Sequence, residues 1–170
     1  MLTWQLFKDI RNNHFLIPYI SINKFTVVCK GCEKTVDDGK AERQNQSMNE
    51  IVSCAVVGVT GRMGQHVCRL LSQADDFIIA GATEAPGSSH IGRSLTETIG
   101  LPGQQALIAG SLEDLQEPFD VVIDFTFPDV TMRTIEYSRT HGVRTVIGTT
   151  GFSPDQMSVI EKFSCDFPCV

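Results

Sequence analysis

From Met48 onward the apolar positions fall into a regular alternation of two kinds of run, whereas residues 1–47 lack that periodicity. "IVSCAVVG", Ile51 to Gly58, is continuously apolar, as parallel strands covered on both faces are. From Arg62, Met63, Val67, Leu70, Leu71 and Ala74 recur at helical spacing and predict a helix with one stripe against a sheet. "FIIAGATE", Phe77 to Glu84, predicts the second strand. The Gly, Ser and Pro-bearing stretch to about Gln105 predicts a long surface loop with a helical turn over Leu95 to Ile99. "ALIAG" is a short third strand, and Ser111 three residues before Asp114 predicts a helix start by the capping-box pattern. "FDVVIDFT" is the fourth strand, in an interior position. Pro128 then opens a helix that Gly142 closes. "VRTVIGTTG" is the fifth strand, and Ser153-Pro154-Asp155-Gln156 caps a last helix. Strands alternating with helices of this length imply an α/β domain, an open parallel sheet with helices on both faces, joined by right-handed crossovers.

Composition changes this picture little for residues 48–170 and more for what precedes them. At 170 residues, 42% hydrophobic and 20% charged, the chain suits one globular domain. A net charge of −6 gives no footprint for nucleic acid, whose phosphates are met by Lys and Arg. Residues 1–47 carry seven basic and five acidic groups, against seven and fifteen in residues 48–170. They are expected to be a poorly structured N-terminal extension, with the folded domain occupying 48–170. Their most apolar stretch, "FLIPYISI", is far shorter than the roughly 20 residues a membrane span needs and is broken by Pro18. Neither a secretory signal nor an acid-poor transit peptide fits, so a cytoplasmic protein without membrane contact is expected. Cys54 in a strand and Cys68 on a helix read as reduced core residues. Cys29 and Cys32 lack a second pair at zinc-ribbon spacing, so no metal site is expected.

The candidate chemistry lies in the turn after the first strand. A strand running into a helix exposes the helix's first N–H groups, which favour an anion such as phosphate. Gly58 permits the tight turn, Gly61 lets a pyrophosphate reach the backbone, and Gly64 lets the helix pack closely on the strand. Glu84, twenty residues after Gly64, stands where a carboxylate accepts hydrogen bonds from an adenosine ribose. The alternatives at this point are a glycine turn with no ligand and Glu84 as a solvated strand end. The spacing is G-x-x-G-x-x-G rather than G-x-G-x-x-G, but the turn follows a strand, opens a helix and has an acid after the second strand, which together point to a Rossmann-type dinucleotide site, and the absence of Gly-Lys-Ser/Thr excludes a P-loop. Asp124 in "DFT" is read as structural, and Arg62 as a residue near phosphate or at the surface.

"VVGVTGRMG" followed by "GATE", "DVVIDFTFPDVT" and "HGVRTVIGTTGFS" resembles the N-terminal half of the dihydrodipicolinate reductase family, over roughly residues 50–165. The resemblance implies NAD(P)H binding and hydride transfer to a cyclic unsaturated dicarboxylate in lysine and diaminopimelate synthesis. It implies that Gly58, Val59, Thr60, Gly61, Arg62 and Met63 cradle pyrophosphate, that Glu84 holds the adenosine ribose, and that Gly148, Thr149 and Thr150 line the nicotinamide side. Ala85 stands where many members have an arginine for the 2′-phosphate of NADPH, so NADH is favoured. Phe127 replaces a commonly charged or polar residue. The family's substrate domain, with its His-His and Ser-Gly-Thr motifs, would follow Val170, so no catalytic residue is expected within the chain. A truncated product is expected, engaging the dicarboxylate only if that domain is supplied. A non-catalytic dinucleotide-binding module is the alternative.

Overall fold

The computed structural model describes residues 51–167 and 169 of the chain, so the extension expected over 1–47, with Cys29 and Cys32, lies outside the described residues. Five strands form one sheet: β1 (Val52–Val57), β2 (Phe77–Thr83), β3 (Ile108–Ala109), β4 (Val121–Asp124) and β5 (Arg144–Ile147). Their order is β3-β2-β1-β4-β5 and every pairing is parallel. Four helices connect or follow them: α1 (Arg62–Leu71), α2 (Leu95–Ile99), α3 (Pro128–His141) and α4 (Pro154–Asp166). This is the Rossmann-type sheet the alternation predicts.

Side chains of β1 alternate between two cores, because successive residues of a strand point to opposite faces. Val52, Cys54 and Val56 pack with Val67, Cys68 and Leu71 of α1 and with Leu95 and Ile99 of α2. Ala55 and Val57 join Val122, Leu112 and Val143 in the other core, against which Val130 and Tyr137 of α3 pack. Beyond it, α4 adds Ile160 and Phe163 to Ile135 of α3. The sheet is thus covered on both faces, which is why its strands read as unbroken apolar runs.

Two local expectations need correction. Met63, placed in the buried stripe of α1, is 46% exposed, and the buried face is Gly64, Val67, Cys68 and Leu71. Ala74 lies past the helix end at Ser72 yet still packs on the core. The helix expected from Ser111 does not form. Ser111 Oγ donates to Asp114 at 2.8 Å, but only an isolated turn closes, Leu115 N–H to the Leu112 carbonyl at 3.3 Å. Pro118 cannot continue a helix and disfavours helical backbone at Glu117, so a helix here could hold little more than the single turn that forms. The segment instead carries the chain from edge strand β3 past β2 and β1 to β4.

Candidate functional site

Strand order reverses direction at β1, so the connections after β1 and after β4 leave toward opposite sides and open a crevice at the carboxyl ends of these strands. The glycine turn forms one wall. Gly58 has φ of 70°, the left-handed conformation that suits glycine, and its N–H and that of Val59 donate to the Thr83 carbonyl at 2.9 and 3.1 Å. A Cβ on Gly58 would also meet the Thr126 methyl at 2.5 Å. Gly61 is the N-cap of α1, and a Cβ there would lie 3.2 Å from the Gly58 carbonyl oxygen. A Cβ on Gly64 would strike that same oxygen and lie 2.9 Å from Val59 Cα, so close packing of helix on turn requires glycine.

The amino end of α1 has no side-chain cap and no acid in its first turn. α3 also lacks a side-chain cap but carries Pro128 and Asp129 in its first turn, whereas α2 and α4 are closed by complete capping boxes, Ser94 with Glu97 and Ser153 with Gln156. The open N–H groups of a ten-residue helix at the mouth of the crevice therefore suit an external anion. Arg62 and Met63 are exposed beside them, while Val59 is fully buried and serves the core.

Glu84 follows β2 and reaches across to this turn. Its carboxylate accepts the Thr60 N–H at 3.0 Å, the Thr60 hydroxyl at 2.5 Å and the Ala85 N–H at 3.0 Å. Burial alone would raise its pKa, but these hydrogen bonds, the Thr60 hydroxyl foremost, together with His90 nearby, hold it below the usual carboxylate range.

The far wall comes from β4 and β5. Asp124 is fully buried and accepts from the Thr126 N–H at 2.9 Å, the Thr126 hydroxyl at 2.6 Å and the Thr134 hydroxyl at 2.7 Å. The Thr149 hydroxyl lies 3.5 Å from the same carboxylate and accepts from Thr131 at 2.8 Å. Asp124 is thus a structural anchor tying β4, α3 and the loop after β5. Gly148 packs against the Phe125 ring, which a Cβ would enter, and Gly148 N–H donates to the Asp124 carbonyl at 2.8 Å. Thr149 is buried with its hydroxyl engaged inward, and Thr150 is exposed. Sequence reasoning missed Phe125, Thr126, Thr131 and Thr134. The spacing of three between Thr131 and Thr134 in the helix opened by Pro128 was a signal for those two, whereas Phe125 and Thr126 precede that helix. Phe127, 74% exposed, is the N-cap of α3 at the same end of the sheet.

Among the described residues no group of three or more His, Cys, Asp or Glu could hold a metal ion. No described helix is long and apolar enough to cross a membrane.

A family model described as Dihydrodipicolinate reductase, N-terminus, matches residues 52–170. The 4-hydroxy-tetrahydrodipicolinate reductase of Methylococcus capsulatus is 37% identical over 110 residues, which are 65% of this chain and 41% of the relative. The dipicolinate-bound dihydrodipicolinate reductase from Paenisporosarcina sp. TG-14 superposes with a TM-score of 0.55 at 21% identity, over 70% of this chain and 46% of that one. Aspartate semialdehyde dehydrogenase II from Vibrio cholerae gives 0.51 at 10% identity, over 71% and 42%. At such identities the two structures share the fold with this chain. The chain spans less than half the length of each of these three proteins.

Proposed function

The chain belongs to the dihydrodipicolinate reductase family, whose N-terminal domain it matches, and from that premise we propose that its crevice binds NADH or NADPH as the hydride donor for reducing a cyclic unsaturated dicarboxylate. The observation that carries this reading is the uncapped amino end of α1 behind the Gly58–Gly61 turn, with the Glu84 carboxylate reaching the same turn through Thr60. The first N–H groups of α1 neutralise the pyrophosphate, and Gly61 leaves room for its approach. Glu84 accepts the adenosine ribose hydroxyls. The backbone of Gly148, Thr149 and Thr150 lines the nicotinamide side, and Phe125 and Thr126 fix that wall against Gly148 and Gly58. When bound, the nicotinamide supplies the hydride; the chain's own contribution is position and electrostatics.

NADH is the preferred cofactor in this reading, because Glu84 repels a 2′-phosphate and Ala85 adds no cation to offset it. Hydride transfer also needs the acceptor held at about 3–3.5 Å in an aligned pose, worth on the order of 7–11 kcal/mol. The family's His-His motif is not among these 170 residues, so this polypeptide tested alone is expected to bind cofactor without turnover. Calorimetry checks the cofactor site: micromolar NADH binding is expected for the wild-type chain and a loss of at least tenfold for Gly61→Val, about 1.4 kcal/mol or more. Equal affinity in the two, with both folded by circular dichroism, overturns the pyrophosphate assignment.

A further inference from the structure

We propose that Thr60 is a positioning residue that fixes the Glu84 carboxylate in one orientation at the ribose end of the crevice and so sets the preference for NADH over NADPH. The inference rests on the reading of Glu84 as the ribose acceptor. Three independent tethers hold Glu84. Its backbone N–H donates to the Ala109 carbonyl at 3.0 Å, which pins the main chain to β3. Ala85 N–H occupies Oε1, and Thr60 occupies Oε2 twice, through backbone N–H and hydroxyl. Thr60 is itself held from α1, since Gln65 Nε2 donates to its carbonyl at 2.8 Å. As a β-branched residue, threonine is stiff at χ1 and keeps its hydroxyl on target.

The consequence is a carboxylate with two protein donors on one oxygen and one on the other. Oε1 is therefore the side more open to an incoming ribose hydroxyl. A diol donates to a carboxylate already in place and spends little on ordering it. A 2′-phosphate is an anion and brings no proton for that site. An untethered glutamate could swing into solvent to admit it, and the Thr60 hydroxyl bars that escape. His90, whose Nδ1 is buried without a hydrogen-bond partner in the structure, is the nearby ring that acts electrostatically on Glu84. It is common to all variants below.

The experiment titrates NADH and NADPH into wild type, Thr60→Ser, Thr60→Val and Glu84→Ala by calorimetry, with Glu84 of the first three also followed by carboxyl-carbon NMR against pH. Thr60→Ser is expected to keep the wild-type ratio of affinities. Thr60→Val, which retains the backbone N–H and loses the hydroxyl, is expected to weaken NADH about 3- to 10-fold and NADPH less, narrowing the ratio. Its Glu84 is expected to titrate at higher pH than in wild type. Glu84→Ala is expected to lose most of the preference. A Thr60→Val chain with the wild-type ratio and an unmoved Glu84 titration, beside a Glu84→Ala chain that has lost the preference, overturns the role of Thr60 alone. Unchanged NADH affinity and ratio in Glu84→Ala overturns the ribose reading itself. Should Thr60→Val fail to fold, Thr60→Ala takes its place, and a wild-type ratio there is equally contrary.

Discussion

At the scale of single residues, the glycine turn shows how much a missing Cβ can decide. Gly58, Gly61 and Gly64 were legible in the sequence because they follow an apolar run and open a helix, and Gly58 makes the tight turn and Gly64 the close packing of helix on turn that their positions suggested. Gly64 is the least replaceable for folding, since its Cβ would meet backbone atoms, the Gly58 oxygen and Val59 Cα at 2.9 Å, which cannot rotate away. Gly64→Ala is therefore expected to destabilise the chain by about 1–3 kcal/mol, the usual cost of overpacking, read as a lower denaturant midpoint. A midpoint equal to wild type contradicts the close approach of α1 to the turn. What spacing could not reveal was the partner across the crevice. The Thr126 methyl against Gly58 and the Phe125 ring against Gly148 depend on β4 lying beside both β1 and β5, which no local pattern encodes. Met63 escaped for the opposite reason: it satisfied the apolar period, but Gly64 and Cys68 take the face that α1 turns to the sheet.

Among elements, boundaries with their own chemistry were readable and those set by crossing distance were not. Pro128 and Gly142 bound α3, the latter at φ of 70°, and Ser153 with Gln156 closes the start of α4 as the sequence suggested. The segment after β3 carried a start signal at Ser111 and made only one isolated turn before Pro118, on its path across the sheet to β4. The element junction of greatest consequence is Asp124 with its threonines. Thr134→Val removes a 2.7 Å donor to a fully buried carboxylate, and a loss of about 1–3 kcal/mol with a melting temperature lower by several degrees is expected. Thr134→Ser should recover most of it, and a melting temperature for Thr134→Val equal to wild type would show that Asp124 does not depend on that hydroxyl. Cys54 in β1 and Cys68 in α1 test the cores. Burial pushes each thiol up to about 12, so neither carries thiolate near neutral pH. Alkylation at neutral pH followed by peptide mapping should leave both unmodified in the native chain and label both after denaturation. Native labelling of either places it outside the core described.

For the molecule as a whole, the parallel class followed from alternation, while the order β3-β2-β1-β4-β5, and hence the position of the crevice, emerged only from the assembled sheet. Its acid stability has a definite sign. Glu84 and Asp120 both sit below the usual carboxylate range, Asp120 because the Ser53 hydroxyl and N–H, at 2.6 and 2.8 Å, and Arg144 outweigh the opposing effect of burial. The unfolded chain therefore takes up protons first as pH falls. The stability these groups contribute is full above the unfolded carboxyl values, about 3.9–4.3, and is lost as pH drops through the folded values. Urea midpoints should be flat down to about pH 5 and then fall, with a shallower fall in Asp120→Asn; a midpoint that rises below pH 5 contradicts this sign. The measurement that tests the central claim most directly is an amide-resolved NMR titration of the chain with NADH. The dinucleotide site proposed here requires the largest shifts at Val59 to Met63, Glu84, Ala85, and Gly148 to Thr150, all at the carboxyl ends of the strands. Shifts centred instead on the amino ends of the strands, around Asp76, Asp120 and Val143, or no shifts at millimolar NADH, would contradict it.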